Sequence, residues 1–380
     1  MKLLPRRILF GALAGGLALF GAMALAEVVL RALPPQPVPG ALFYQDASRA
    51  ETDYAAAKAA GLIEAVPQSP RPRERFAPGA HFYICYRNQD AMRKPWLDEQ
   101  GCVEVQINRW GLRERDDDAL GPQKPPGQQR IVCIGDSFTF GWGIPAEQNW
   151  VRMLEDALRK DLGDVRTINC GAAGAIVPDE YWWGLRDRFG AFQPDAVLVT
   201  LCLNDLIPSS GLCLALPPRQ PTGFRLLDGL YGLTQRGPLD LDPAVDWSSL
   251  LLQLPEEQGL ASGLLDGDKP VAAMWASGGT QDALQRMQDW CKQRNVRFLV
   301  CLWPFLQGLS PGAAYPFRGL HERVAAFCAG AGIPFLDLLP SLQGHHDEEL
   351  WVTPADYHPN PQAQRLALPA IEAFVRQHGR

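Results

Sequence analysis

Short apolar and β-branched runs alternate with amphipathic helical stretches from Arg130 to the end of the chain. The expected strands read RIVCIG, RTINCG, PDAVLVTLC, VRFLVCLW and IPFLDLL, and helices are expected over 146–160, 179–190, 273–293, 318–330 and 361–377. Strands that are separated by helices form parallel sheets with helices on both faces. The alternation therefore predicts an α/β domain, a doubly wound parallel sheet of about five strands, over 126–380.

The N-terminus carries a membrane or export signal. Lys2, Arg6 and Arg7 precede an uncharged, mostly apolar run of 19 residues, 8–26. Such a run is about long enough to cross a bilayer as a helix, and the preceding positive charges orient the rest of the chain outward. The length favours an uncleaved signal anchor over 1–33, whereas "ALA" at 24–26 leaves a cleaved secretory signal as the alternative. Both interpretations place the remainder in an extracytoplasmic space.

Residues 34–125 are predicted to form a small β-rich module followed by a linker. The runs HFYICYRN and CVEVQINRWGLR are typical of short strands. Two of the nine cysteines, Cys85 and Cys102, lie in this module, where they either form a disulfide or remain free thiols. Cys133, Cys170, Cys202 and Cys301 fall in strand-like runs of the main domain and are expected to be buried. The net charge of −6 and the absence of a basic stripe exclude a nucleic-acid partner.

Polar and glycine residues follow the first three strands of the main domain. Asp136 and Ser137 follow the first, Gly174 lies in "NCGAAG" after the second, and Asn204 and Asp205 follow the third. Ligands bind to doubly wound sheets at this edge. A serine on a sharp strand-to-helix turn exposes its hydroxyl, and a glycine N–H together with an asparagine amide can stabilise an oxyanion. The pattern therefore predicts acyl transfer, with Asp136 and Asp205 as structural residues.

The general base is predicted from the segment TPADYHPNPQ, just before the last helix. His358 lies there, Asn360 is a good N-cap, and Pro361 suits the first turn. Asp356 precedes His358 by two residues, so in an extended segment both side chains point to the same side. A Ser–His–Asp arrangement of Ser137, His358 and Asp356 follows. His345 and His346, in a polar loop, are the alternative bases, and His321 is expected on a solvated helix face.

These blocks resemble those of the SGNH, or GDSL-type, serine hydrolase family. The resemblance covers about 130–375 and rests on "IGDSFTFGWG", "NCGAAG", "CLND" and "ADYHPN". It implies a flavodoxin-like fold and ester hydrolysis without metal or cofactor. Ser137 would be the nucleophile, His358 the base and Asp356 its orienting partner. The N–H groups of Ser137 and Gly174 and the Asn204 amide would form the oxyanion hole. The anchor and the β-rich module resemble the exported, membrane-tethered branch of the family.

Two positions depart from the family pattern. Cys202 stands where the asparagine block usually has glycine, so a side chain there is expected to narrow the site or tilt Asn204. Asp356 and His358 are two residues apart rather than three.

The expected substrate is an acetyl or short acyl ester on an envelope glycan or a lipid. The alternatives are an O-acyltransferase to an envelope saccharide and a non-catalytic carbohydrate-binding domain with a relic site. The insertion 206–270 is either a lid or a surface element, and Trp142 is expected in the core rather than lining the pocket.

Overall fold

The fold is described from a computed structural model in which two compact units can be distinguished. The first comprises Met1–Pro37 and Leu216–Asp240, and the second comprises Val38–Ala215 and Leu241–Arg380. The structure describes residues 6–33, 42–66, 74–86, 94–114, 120–173, 177–207, 223–227, 241, 244–253, 275–354 and 356–379. Most of the insertion 206–270, for which the sequence left a lid and a surface element as alternatives, lies outside these residues.

The first unit is built on a long apolar helix, α1 (Arg6–Ala32). Its window Leu13–Ala32 has a mean hydropathy of 2.0 and none of it is buried, so its length and composition fit a membrane span and a signal sequence alike. Within this unit the Glu27 carboxylate accepts the backbone N–H groups of Arg225 (3.0 Å) and Leu226 (2.9 Å). A short piece of the insertion is therefore bound to the end of α1.

The second unit begins with the predicted β-rich module. Its elements are β1 (Leu42–Asp46), β2 (Glu51–Thr52), α2 (Tyr54–Ala59), β3 (Ile63–Ala65), β4 (Glu74–Phe76), β5 (His81–Tyr86) and β6 (Cys102–Gln106). Antiparallel pairing orders four strands as β2-β1-β5-β6, and β3 pairs with β4. Cys85 lies opposite Cys102 and forms a disulfide with it. The disulfide therefore ties β5 to β6.

The module shares its hydrophobic core with the domain that follows. Alternate residues of β5, Phe82, Ile84 and Tyr86, all point into this core and are fully or almost fully buried. Phe140 and Trp142, which follow Ser137 in the chain, belong to the same cluster. Burying apolar surface is the main favourable contribution to folding. The module and the serine segment therefore stabilise each other.

The central sheet of the second unit is parallel and doubly wound, which confirms the predicted fold class. Its strands are β7 (Gln129–Gly135), β8 (Val165–Gly171), β9 (Ala196–Cys202), β10 (Arg297–Trp303) and β11 (Phe335–Asp337). The spatial order is β8-β7-β9-β10-β11, with every neighbouring pair parallel. This is the flavodoxin-like order 2-1-3-4-5, whose ligand site lies at the carboxyl ends of the strands around β7 and β9.

Helices cover the sheet as the sequence predicts. The helix Trp150–Leu162 packs on the last helix, Pro361–His378, and the helix Pro178–Asp187 packs on the helix Gly279–Lys292. A small antiparallel hairpin of the strands Trp351–Thr353 and Asp356–Pro359 precedes the last helix. The bounds are α3 (Ser137–Phe140), α4 (Trp150–Leu162), α5 (Pro178–Asp187), α6 (Trp247–Leu252), α7 (Gly279–Lys292), α8 (Arg318–Ala331), α9 (Leu339–Leu342), α10 (Asp347–Leu350), β12 (Trp351–Thr353), β13 (Asp356–Pro359) and α11 (Pro361–His378).

The last residue of β8, Gly171, lies directly against the backbone of α3. A Cβ atom at this position would overlap the backbone nitrogen of Phe140 and the carbonyl carbon of Thr139. Backbone atoms cannot rotate away as a side chain can, so relief requires a shift of the helix or the strand. Glycine at this position therefore lets β8 support the short helix that begins with Ser137.

We expect Gly171→Ala to lower the free energy of unfolding by about 1–3 kcal/mol, because overpacking against the backbone forces strain. Gly330→Ala is the matched control. Gly330 lies inside α8, and a Cβ atom there would meet nothing within 4 Å beyond its own helix backbone. Alanine at 330 is therefore expected to be neutral or to stabilise by about 0.5–1 kcal/mol. Urea unfolding of both variants measures the difference, and equal midpoints for the two would contradict this explanation of Gly171.

Candidate active site

Ser137 lies on the tight corner between β7 and α3. Asp136 caps the helix, and its carboxylate accepts the backbone N–H of Phe138 at 2.9 Å. Gly141 ends the helix with a φ of 81°, a left-handed conformation that glycine adopts without strain. The serine is 7% exposed. The four-residue helix thus holds Ser137 at the carboxyl edge of the sheet, where the sequence predicted it.

His358 is held in the strand β13, directly before the last helix. Asn360 is the N-cap of α11, and its side-chain oxygen accepts the backbone N–H groups of Gln362 (2.8 Å) and Ala363 (3.0 Å). The amide nitrogen of Asn360 donates to the carbonyl oxygens of Glu349 (2.7 Å) and Trp351 (3.0 Å). Because both the oxygen and the nitrogen of its side-chain amide are hydrogen-bonded, Asn360 fixes the segment that carries His358, as the sequence predicted.

The structure brings Ser137, His358 and Asp356 into one hydrogen-bonded chain. Nε2 of His358 lies 2.8 Å from Oγ of Ser137, although the two residues are 221 positions apart. Nδ1 of His358 lies 2.5 Å from Oδ1 of Asp356. An ionised carboxylate only accepts hydrogen bonds, so Nδ1 carries the proton and Nε2 is left to accept the serine hydroxyl. This arrangement suits removal of the proton from Ser137.

The spacing of two residues between Asp356 and His358 is compatible with the hydrogen bond between their side chains. Asp356 Oδ1 also accepts the backbone N–H of His358 at 3.2 Å. One carboxylate oxygen therefore binds both the main chain and the ring of the same histidine, which an extended strand permits because alternate side chains share a side.

The second carboxylate oxygen of Asp356 accepts two further hydrogen bonds. The hydroxyl of Tyr86 donates to Oδ2 at 2.6 Å, and Nε1 of Trp142 donates to it at 3.2 Å. Trp142 is 7% exposed, so it is a core residue as predicted, with a polar contact to the site in addition. Tyr86 was not predicted from the sequence, because it lies 270 positions from Asp356, on β5 of the N-terminal module.

Neighbouring charges and hydrogen bonds together shift the pKa of both Asp356 and His358 more than burial does. Burial alone would raise the pKa of Asp356, but the charge of His358 and the hydrogen bonds from His358 and Tyr86 lower it below its usual range. Burial alone would lower the pKa of His358, but the charge of Asp356, the hydrogen bond to it and the charge of Asp136 raise it above the ordinary 6.5. The imidazolium that forms when serine gives up its proton is therefore stabilised.

Asn204 lies beside the serine corner, in a short turn after β9. Its amide nitrogen donates one hydrogen bond to Oδ2 of Asp136, at 3.0 Å, and a primary amide has a second N–H to offer. Asp205 fixes the turn by accepting the backbone N–H of Cys202 (2.9 Å) and the hydroxyl of Tyr181 (2.8 Å). Gly174, the third predicted oxyanion residue, lies outside the described residues.

Cys202 does not strain the asparagine block. Its φ and ψ, −114° and 164°, are those of extended backbone, which any residue adopts. The side chain is fully buried, and burial raises the pKa of its thiol well above the usual range. The cysteine therefore behaves as a small apolar residue of the core. The same description holds for Cys133, Cys170 and Cys301, whose predicted burial is confirmed.

The expectation that His321 lies on a solvated helix face is wrong. Its side chain is 2% exposed, and Nδ1 lies 2.8 Å from Oδ1 of Asp337 at the end of β11. The face of α8 that carries Leu320, Val324 and Cys328 is buried, and the histidine shares it. Within the described ranges, no group of three or more His, Cys, Asp or Glu side chains could hold a metal ion.

Comparison with known proteins links the chain to ester-cleaving enzymes. A model of the GDSL-like Lipase/Acylhydrolase family matches residues 133–366. An arylesterase of Vibrio mimicus is 34% identical over 80 residues, which are 20% of this chain and 38% of that protein. The chain thus matches well under half of that relative's length.

Solved structures with similar folds include a lipase/acylhydrolase from Enterococcus faecalis, with 13% identity and a TM-score of 0.40, covering 66% of this chain and 96% of the other. The psychrotrophic esterase EstA from Pseudoalteromonas sp. has 13% identity and a TM-score of 0.38, covering 66% of this chain and 98% of the other.

We expect His358 to titrate above pH 6.5, because its charged form is stabilised by Asp356. In Asp356→Asn the charge is lost while burial remains, so the pKa of His358 should fall by about 1–3 pH units. NMR of the protein labelled at its six histidines measures both values. The remaining histidines are the internal control, and an unchanged His358 titration would contradict the assigned pairing.

Proposed function

The chain belongs to the GDSL-like Lipase/Acylhydrolase family, and we propose that it hydrolyses carboxylic esters through an acyl-enzyme intermediate on Ser137. The observation that carries this proposal is the 2.8 Å contact between Oγ of Ser137 and Nε2 of His358. A serine hydroxyl is a weak nucleophile unless an adjacent base takes its proton. His358 meets this requirement, since its other nitrogen is bound to Asp356.

The proposed reaction has two similar halves. Oγ of Ser137 attacks the carbonyl carbon while Nε2 of His358 takes the hydroxyl proton. The bond from carbon to the alcohol oxygen then breaks, and His358 returns the proton to that oxygen. In the second half a water molecule attacks the acyl carbon and gives a proton to Nε2 of His358. The bond from the acyl carbon to Oγ of Ser137 then breaks, His358 returns the proton to Oγ, and the acid leaves. Asp356 keeps Nδ1 protonated throughout and so leaves Nε2 free to exchange the proton.

The developing oxyanion is assigned to three donors. As the first residue of α3, Ser137 has a backbone N–H without an intrahelical acceptor. The second amide N–H of Asn204 and the N–H of Gly174 complete the proposed set. The role of Asn204 is supported by its bond to Asp136, which fixes the amide beside the serine corner. Such donors act most strongly where charge develops in the transition state.

The proposed substrate is an acetyl or short acyl ester on an envelope glycan or lipid, met outside the cytoplasm. Three observations support export: the basic residues before the apolar helix, the length of the window Leu13–Ala32, and the Cys85–Cys102 disulfide. Disulfides persist mainly in oxidising compartments. In this proposal the apolar helix anchors the protein to the membrane.

Ser137→Ala should lower kcat for p-nitrophenyl acetate on the order of 10^4- to 10^6-fold, because the nucleophile is removed. A fluorophosphonate probe should label the wild-type protein and leave the variant unlabelled. Ser248→Ala is the control, since Ser248 is also a buried serine but lies in α6. Equal hydrolysis by wild type and Ser137→Ala would overturn the proposal.

Asn204→Ala should lower kcat about 10²- to 10³-fold, which is typical of the loss of one oxyanion donor. KM for the same ester should change little, because the donor acts on the transition state rather than on the bound substrate. Steady-state kinetics separate the two parameters. A variant in which only KM rises would place Asn204 in substrate binding instead.

A further inference from the structure

We propose that Tyr86 of the N-terminal module is a positioning residue that acts on His358 through Asp356, so that the module completes the active site. The proposed effect of Tyr86 on catalysis rests on the proposed ester hydrolysis. Its proposed effect on the His358–Asp356 pair does not. The module is therefore more than a connecting segment of the chain. It supplies a hydroxyl group that the hydrolase sheet does not provide.

The carboxylate of Asp356 is bound by four donors, two on each oxygen. Both donors on Oδ1 belong to His358, its ring Nδ1 and its backbone N–H. Both donors on Oδ2 come from elsewhere, Tyr86 from β5 and Trp142 from just beyond the serine helix. A carboxylate has about four lone-pair sites, so this set satisfies it. The 2.6 Å distance from Tyr86 is typical of a charge-assisted hydrogen bond.

The donors on Oδ2 fix the plane of the carboxylate. Asp356 and His358 lie on one short strand, so their mutual hydrogen bonds hold the pair together but do not fix it relative to Ser137. Tyr86 and Trp142 attach Asp356 to two other parts of the fold. Since Tyr86 is fully buried, loss of its hydroxyl would leave a more basic carboxylate that holds the His358 proton more strongly.

The fold directs the Tyr86 hydroxyl to this position through several contacts. Tyr86 follows Cys85, whose disulfide with Cys102 fixes the end of β5. Gly143 has a φ of 72°, and a Cβ atom there would lie 2.5 Å from the Tyr86 hydroxyl. Glycine at 143 therefore both permits the left-handed turn and leaves room for the hydroxyl to reach Asp356.

A buried arginine fastens the same segment to the module. Arg113, which follows β6 and is 4% exposed, donates to the carbonyl oxygens of Phe140 (3.3 Å), Gly141 and Ile144 (2.6 Å). These carbonyls flank Trp142, the other donor to Oδ2. Arg113 thus holds the segment of Trp142 against the module that carries Tyr86. The two donors to Oδ2 are therefore fixed relative to each other as well as to Asp356.

The test is Tyr86→Phe in the full-length protein. Phenylalanine keeps the buried ring and removes only the hydroxyl, so a residue with a packing role alone would tolerate the change. We expect His358 to titrate at a higher pH by NMR, kcat at the alkaline plateau to fall about tenfold, and KM to stay within about twofold. Tyr83→Phe is the matched control, because Tyr83 lies on the same strand with its ring under Arg49 and should change none of these.

Trp142→Phe removes the second donor and provides an independent variant. It should also raise the pH at which His358 titrates, and its effect should be non-additive with that of Tyr86→Phe, because both donors serve one oxygen. An unchanged His358 titration in folded Tyr86→Phe overturns the inference, whatever the activity. If the titration moves as expected while the wild-type protein cleaves no ester, the positioning role stands and the proposed function fails.

Discussion

The largely buried carboxylate of Asp356, whose side chain is 10% exposed, is the group on which the arrangement of the second unit depends. Removing a charge from water costs several kcal/mol unless hydrogen bonds and an opposite charge replace the lost solvation. Asp356 obtains its donors from the last hairpin, from the serine segment and from the N-terminal module. These three parts must dock for the carboxylate to stay ionised. The same requirement brings His358 to Ser137, so the burial of one charge organises the proposed chemistry.

Much of the site could be predicted because its chemistry follows local rules. Strand ends of a parallel sheet meet at one edge, which places Ser137 and Asn204 together from strand order alone. An extended Asp-x-His segment before an Asn-Pro helix start fixes Asp356 beside His358. Each inference uses residues within one strand or turn, or a rule that holds for every doubly wound sheet.

Two residues escaped prediction because their environment is set by tertiary packing. The Tyr86 hydroxyl meets Asp356 only once the module has docked, and no short-range pattern encodes that contact. His321 is followed by the charged residues Glu322 and Arg323 in the sequence, yet the turn of α8 places it on the buried face opposite Asp337. Helical periodicity alone could not decide this, because a histidine suits either face until its partner is known.

Positions 135, 171 and 202 of the motifs are constrained for different physical reasons. This difference explains why position 202 can carry a cysteine where the family pattern usually has a glycine. Gly135 and Gly171 have no room for a Cβ atom: it would overlap the Thr200 carbonyl at one position and the backbone of α3 at the other. At position 202 the backbone is extended and the side chain points into the core. A glycine is therefore not required there, and Asp205 holds the turn whichever residue is present, through a backbone N–H that every residue except proline offers. Close approach of backbones, rather than membership of a motif, decides which glycines this fold must keep.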